Sequence, residues 1–317
     1  MILTLTPNPS VDRTIEIAPL RHGEVQRATG SRVDPGGKGI NVSRALHANG
    51  SATVAVFPTG GAHGHMMRDL LTGTGVPVRT VPITGSIRAN VALVEPDGTT
   101  TKINEQGPTL SERERAELFE TITASLDEAD VTWVVGCGSL PGGMSESTYA
   151  DLVRLVHQRG VRVAIDSSGE PMTAALAAGP DLIKPNREEL AEAVGRPLRT
   201  LGEVVDTARE LIATGIATIL VSLGKDGAVL VTDTDVVFAS ATINRPLSTV
   251  GAGDCTLAGY LHALAAGANP AQALRTAVAF GAAAVTLPGS RVPSPEQVAA
   301  ISVDLQESPD LSRILTD

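Results

Sequence analysis

Four short segments carry residue types suited to phosphoryl chemistry. The first is Val250-Gly251-Ala252-Gly253-Asp254, which runs into a helical pattern over Cys255–Ala266. Three small residues before an acid at a helix start leave backbone N–H groups at the positive end of the helix dipole. Such a place suits a phosphoryl group whose charge builds in a transition state. Asp254 could take a proton from an attacking hydroxyl, or could simply cap the helix. The second segment, Asp34-Pro35-Gly36-Gly37-Lys38-Gly39-Ile40-Asn41-Val42, opens a helix running to Ala48. Its glycines let backbone approach a ligand and Lys38 adds charge, although a plain glycine-rich turn reads the same way. The third, Leu182-Ile183-Lys184-Pro185-Asn186-Arg187-Glu188-Glu189, is a strand end entering a helix. Asn186 and Glu189 share a helix face and offer oxygens to Mg²⁺, directly or through water. They read equally well as an N-cap and a first-turn acid. The fourth, Val221-Ser222-Leu223-Gly224-Lys225-Asp226-Gly227, is a strand ending in a glycine-bounded turn.

Other chemistries lack a basis. Gly136-x-Gly138 continues to Pro141 and Gly251-x-Gly253 to Thr256, so no dinucleotide fingerprint exists; Gly37-Lys38 is followed by Gly39, so neither does a Walker A motif. His63 and His65 read as solvated histidines before metal ligands. Cys137 and Cys255 lie far apart, with no disulfide framework, and Cys255 reads as a small helix residue. The net charge of −10 speaks against nucleic acid and against anionic membranes as partners. No signal peptide or membrane span is visible at the N-terminus or elsewhere, so a cytoplasmic protein is expected.

The elements that must position these segments alternate between strand and helix. Ile2–Thr6, Thr53–Phe57, Val131–Gly136, Val161–Ile165, Leu182–Lys184 and Thr218–Ser222 are apolar, β-branched runs fit for strands buried on both faces. Helix starts are marked by capping boxes at Ser111/Glu114 and Thr200/Glu203, and by Asn269-Pro270-x-Gln272 and Ser294-Pro295-x-Gln297. Gly50 and Gly160 stand where helices should stop. With aromatics at 2%, the core must be aliphatic. This pattern predicts an α/β fold, a doubly wound, mostly parallel sheet flanked by helices. Residues 11–33 and 86–105 break it with short β-like runs (Arg13–Ile17, Glu24–Ala28, Ile87–Val94, Thr99–Ile103), two of them joined by the turn Pro96-Asp97-Gly98. They are either surface hairpins or a small antiparallel β sheet able to act as a lid.

In this order the segments resemble the ribokinase-like carbohydrate kinase family in its phosphofructokinase B branch, from Thr4 to about Ala284. Gly-Ala-Gly-Asp is the most specific motif. Thr6-Pro7-Asn8-Pro9-x-x-Asp12 with Gly36-Gly37-Lys38-Gly39-x-Asn41 narrows the likeness to kinases of already phosphorylated ketohexoses, most like the bacterial 1-phosphofructokinases, with the tagatose-6-phosphate kinases nearby. The resemblance implies one ribokinase-like domain over 1–317 and ATP-dependent, Mg²⁺-assisted conversion of D-fructose 1-phosphate to fructose 1,6-bisphosphate. Fructose 6-phosphate and tagatose 6-phosphate are alternative substrates, and a non-catalytic sugar-phosphate sensor is a remote one. It implies Asp254 as base, with Gly251, Ala252 and Gly253 as anion hole. Asp12, Gly37, Asn41 and Asn90 would face the sugar; Arg27, Arg88, Lys102 and Lys38 would meet its phosphate, with Ser139 as a hydroxyl donor. Lys184, Asn186, Ser222, Gly224, Gly227, Ser248 and Val250 would border ATP, and Glu189 with Asn186 would hold Mg²⁺ through water. A homodimer formed through the lid is also implied.

Overall fold

The computed structural model describes residues 1–316. From the N-terminus the chain forms β1 (Ile2–Leu5), β2 (Ser10–Glu16), β3 (Gly30–Gly36), α1 (Lys38–Ala48), β4 (Thr53–Thr59), α2 (Gly61–Thr72), β5 (Val78–Pro82), β6 (Arg88–Val94) and β7 (Thr100–Asn104). It continues through α3 (Glu112–Glu128), β8 (Trp133–Cys137), α4 (Thr148–His157), β9 (Arg162–Asp166), α5 (Gly169–Leu176), β10 (Leu182–Ile183), α6 (Arg187–Val194), α7 (Leu201–Ile212) and β11 (Thr218–Ser222). The last part is β12 (Ala228–Val231), β13 (Val236–Ser240), α8 (Ala252–Ala265), α9 (Pro270–Val285), α10 (Pro295–Ala299) and β14 (Asp304–Gln306).

Ten strands make one sheet in the order β14-β13-β12-β11-β10-β9-β8-β1-β4-β5, parallel from β11 to β5 and antiparallel beyond. Successive strand residues feed opposite cores, as the pleat requires. Leu3, Leu5 and Val134 pack with α3, α4 and α7 on one side; Ile2, Trp133 and Val135 pack with α1, α8 and α9 on the other. The capping boxes at Ser111, Thr200, Asn269 and Ser294 all form, the last two with proline in the first turn. Gly50 and Gly160 follow α1 and α4 with φ of +81° and +67°, a region open to glycine. Trp133, the single tryptophan, is buried at the start of β8 with the Arg162 guanidinium 4.6 Å from its ring centroid.

The second sheet has the order β3-β2-β6-β7. Its two outer pairings are antiparallel, while the central pair, β2 with β6, is parallel. The turn at Pro96-Asp97-Gly98 joins β6 to β7, with Gly98 at φ +91°. One expected run fails: Glu24–Ala28 is loop, and Val25 is 97% exposed. That stretch has neither a partner strand nor an apolar face to bury. β3 instead runs from Gly30 into the glycine segment itself, ending at Gly36.

The ten-stranded sheet has its switch point at β1, whose neighbours β4 and β8 carry the chain outward in opposite directions. A crevice outside the carboxyl ends of the strands is the expected ligand site of such a sheet. The four-stranded sheet rises from that same end, since β2 and β3 flank the start of α1.

Candidate active site

Asp254 stands in the first turn of α8 and is 7% exposed. The turn before it is set by Gly251 in a left-handed conformation, φ +78°. Asn41 Nδ2, from the first turn of α1, donates to Asp254 Oδ2 at 2.9 Å. Burial pushes the Asp254 carboxyl up to about 6; the Asp166 carboxylate adds to the rise, and Asn41, Lys38 and Lys184 oppose it. A carboxylate tuned to that range can take a proton near neutral pH. The first N–H groups of α8 lack acceptors within the helix, as at any helix start. A Cβ on Gly253 would sit 3.3 Å from Lys184 Nζ, so an ammonium lies directly against this turn.

Lys184 follows β10 and is 4% exposed. Its Nζ lies 3.1 Å from Asp166 Oδ2, and Lys38 Nζ lies 2.7 Å from Asp166 Oδ1. Asp166, at the carboxyl end of β9, is fully buried and joins the two lysines. Burial would raise its carboxyl, but Lys184 and Lys38 hold it below the usual range. Lys38 also reaches Glu189 Oε1 at 3.6 Å, and these carboxylates outweigh its burial and raise its ammonium. Lys38 therefore belongs to the Asp166–Glu189 group and not to the four-stranded sheet. Asp166 was not among the expected residues: it sits in no motif. The signal was its place at the end of a parallel strand.

Asn186 and Glu189 form the capping box of α6: Glu189 N donates to Asn186 Oδ1 at 2.7 Å and Asn186 N to Glu189 Oε2 at 2.9 Å. Ser222 at the end of β11 bridges to Asn186. Gly224 and Gly227 bound the next turn with φ of +58° and +111°. Ser248 Oγ accepts from Val250 N at 3.2 Å in the segment leading to Gly251.

The four-stranded sheet presents a polar face. Asp12 pairs laterally with Asn90 and Asp34, and Ser10 with Arg88. Asp12 Oδ1 accepts from Ser10 Oγ at 2.7 Å and Asn90 Nδ2 at 2.9 Å. Burial raises the Asp12 carboxyl, against those two bonds and Arg88. A side chain on Gly36 would overlap the Asp12 carboxylate, which explains a glycine at the end of β3. Arg88 donates to Glu105 O at 3.0 Å and Asn8 O at 3.2 Å. Asn8, missed as a site residue, donates to Ser139 Oγ at 3.2 Å. Among the described residues Asn8 Oδ1, Asn90 Oδ1 and Arg88 Nε are buried without a partner. This face thus holds hydrogen-bonding capacity that a polar ligand would satisfy.

Two expected cations are not drawn in. Arg27 lies exposed in the loop between β2 and β3, not on a strand. Lys102 is on β7, opposite Ala92 and exposed. His63 and His65 lie on α2, and among the described residues no group of three or more His, Cys, Asp or Glu could hold a metal. No helix among the described residues is long and apolar enough to cross a membrane.

A family model for the pfkB family carbohydrate kinases matches residues 5–297. The chain is 41% identical over 299 residues to the 1-phosphofructokinase of Haloferax volcanii, covering 94% of this chain and 95% of that one. It is 37% identical over 296 residues to the ATP-dependent 6-phosphofructokinase isozyme 2 of Escherichia coli, covering 92% and 94%. The solved structure of phosphofructokinase-2 from Escherichia coli in complex with substrates and products matches with a TM-score of 0.89 at 34% identity, covering 94% and 97%. The matched span holds every segment assembled above, from Asn8 to Asp254, and the chain belongs to the pfkB family of carbohydrate kinases.

Proposed function

We propose that this sugar-phosphate kinase transfers the γ-phosphoryl group of ATP to D-fructose 1-phosphate, giving fructose 1,6-bisphosphate. The observation that carries the mechanism is Asp254, a buried carboxylate raised to about 6, held by Asn41 in the first turn of α8. Asp254 takes the proton of the attacking hydroxyl as the new P–O bond forms and the bond from the γ-phosphorus to the bridging oxygen breaks, with ADP leaving. The N–H groups of Gly251, Ala252 and Gly253 receive the charge on the transferred group, with Lys184 beside them. Asp12, Gly37, Asn41 and Asn90 orient the sugar hydroxyls. Arg88 meets the sugar's own phosphate, with Lys102 on the same face of the sheet.

ATP lies along Lys184, Asn186, Ser222, Gly224 and Gly227 in this reading. The donor set fits Mg²⁺ kept by few protein oxygens. Glu189 Oε2 and Asn186 Oδ1 already accept each other's backbone N–H, which leaves Glu189 Oε1, 3.6 Å from Lys38 Nζ, as the carboxylate oxygen without a backbone donor. Glu189 and Asn186 would hold the ion through water, and it would supply charge neutralisation on the phosphates.

Dimerisation follows from the other face of the four-stranded sheet. Val11 and Val33 pack on the body, but further out Ile15, Val91 and Leu93 are only half-buried and Ile103 is 56% exposed. An open apolar strand face suits a second copy of the chain.

Relatives named for 1- and 6-phosphofructokinase activity stand at similar identity, so the choice between phosphosugars is experimental. kcat/KM measured with fructose 1-phosphate, fructose 6-phosphate and tagatose 6-phosphate is expected to favour the first by about tenfold or more. A higher value for either other sugar would reassign the substrate and leave the chemistry intact.

A further inference from the structure

Arg44 is a buried cation with no part in the phosphoryl chemistry above. It lies on α1, three residues after Asn41, and is 7% exposed. Its Nη1 donates to Asn41 Oδ1 at 3.0 Å, to Ser290 O at 3.0 Å and to Pro35 O at 3.2 Å. None of these partners is a carboxylate: Asp34, Asp12 and Asp254 favour its charge from a distance, yet burial outweighs them and its hydrogen bonds go to an amide and two carbonyls.

We infer that Arg44 is a positioning residue for the base: by holding Asn41 Oδ1 it fixes the amide orientation that aims Asn41 Nδ2 at Asp254. A guanidinium has donors and no acceptor, so only the oxygen of the Asn41 amide can face it. The amide nitrogen is then turned to Asp254 Oδ2, 2.9 Å away. An ionised carboxylate only accepts, so the opposite flip would set oxygen against oxygen at Asp254 and nitrogen against donor at Arg44. The same Nη1 ties down Pro35, at the end of β3, and Ser290. Ser290 lies beside the anion turn: a Cβ on Gly251 would be 3.7 Å from Ser290 Cβ. One guanidinium thus references the base, the glycine segment and the turn beside the anion site to a single point.

This inference rests on Asp254 as base, and its test separates the two. Steady-state kinetics are measured on the full chain carrying Arg44→Met, Asn41→Ala, both together, or Asp254→Asn, with folding checked by thermal melts. Arg44→Met is expected to lower kcat about 10- to 100-fold, the scale of a small misplacement of reacting groups. KM for both substrates should stay within about threefold. In the Asn41→Ala background Arg44→Met should lower kcat by only about threefold further, since its route to the base is gone and only its ties to Pro35 and Ser290 remain to be lost. Should Arg44→Met fail to fold, the cycle is run with Arg44→Lys and judged by the same non-additivity. Equal losses with and without Asn41, or a loss confined to KM, overturn the positioning role. Ordinary activity in Asp254→Asn overturns the base itself.

Discussion

On the ten-stranded sheet both faces are sealed: Leu3 and Val134 on one side, Val135 on the other, have no exposure at all. On the four-stranded sheet one face holds Asp12, Asn90 and Arg88, the last two with unmet hydrogen-bonding capacity, and the other leaves Ile103 largely open. The first sheet has both apolar faces covered by helices. The second is complete only with something added to each face, which in the proposed function are a phosphosugar and a second copy. The division of labour follows: residues at the end of the large sheet should govern the chemical step, and residues on the small sheet should govern capture.

The sharpest way to break that division is Asp254→Asn. It is expected to lower kcat about 10³-fold, with KM for both substrates little changed. The parent enzyme should lose kcat about tenfold per pH unit below about 6, where Asp254 takes up a proton. The stability effect has the opposite sense. Between the ordinary carboxyl pKa of 3.8 and about 6, the folded protein keeps a proton that the unfolded chain has lost. Rising pH therefore weakens folding through that window, by about 3 kcal/mol in full. Asp254→Asn removes the buried charge, so at pH 7.5 it should melt about 3–5 °C above the parent, and the gap should close by about pH 4. A variant that is both active and less stable would contradict the assignment.

Arg88→Ala addresses the small sheet. It removes charge-assisted bonds of about 1.5–3 kcal/mol each, so KM for the phosphosugar should rise about 10- to 100-fold. KM for ATP should stay put, and a comparable rise there would erase the distinction between the sheets. The mildest change is Leu93→Asp on the open apolar face. It should shift the protein from dimer to monomer in light scattering and raise KM for the phosphosugar about two- to fivefold through a less ordered sheet. A monomeric parent, or an unaltered dimer in the variant, would remove this face from the assembly.

The large sheet was legible because its signals are local. Runs such as Val131–Gly136 and the box at Thr200/Glu203 need no distant partner to be read, and the structure keeps them within a residue or two. The small sheet depends on β2 pairing with β6 across more than seventy residues, in parallel, and no local pattern encodes that register. Arg27 was misplaced for the same reason: Glu24–Ala28 has strand-like residues but nothing to pair with. Within the site, motif residues such as Asn41 and Asp254 do meet. Asp166, Asn8 and Arg44 were missed because their meaning lies in what folding brings beside them: two lysines, a serine hydroxyl, an amide oxygen. At Asn186/Glu189 the structure shows the capping reading. The capping box forms, and Glu189 still turns one oxygen toward Lys38.

The lone tryptophan has a practical consequence. Trp133 opens β8 at the amino end of the strand, whereas the site gathers at the carboxyl ends. Light absorbed at the red edge of the protein's spectrum is therefore emitted from one buried indole, stacked by Arg162 at the opposite end of its strand from the candidate site. Its emission is a clock for the opening of the large sheet that bound substrate does not perturb directly. Fluorescence-monitored unfolding, with and without ligand, can read linkage between the two sheets from an optical label the chain already carries.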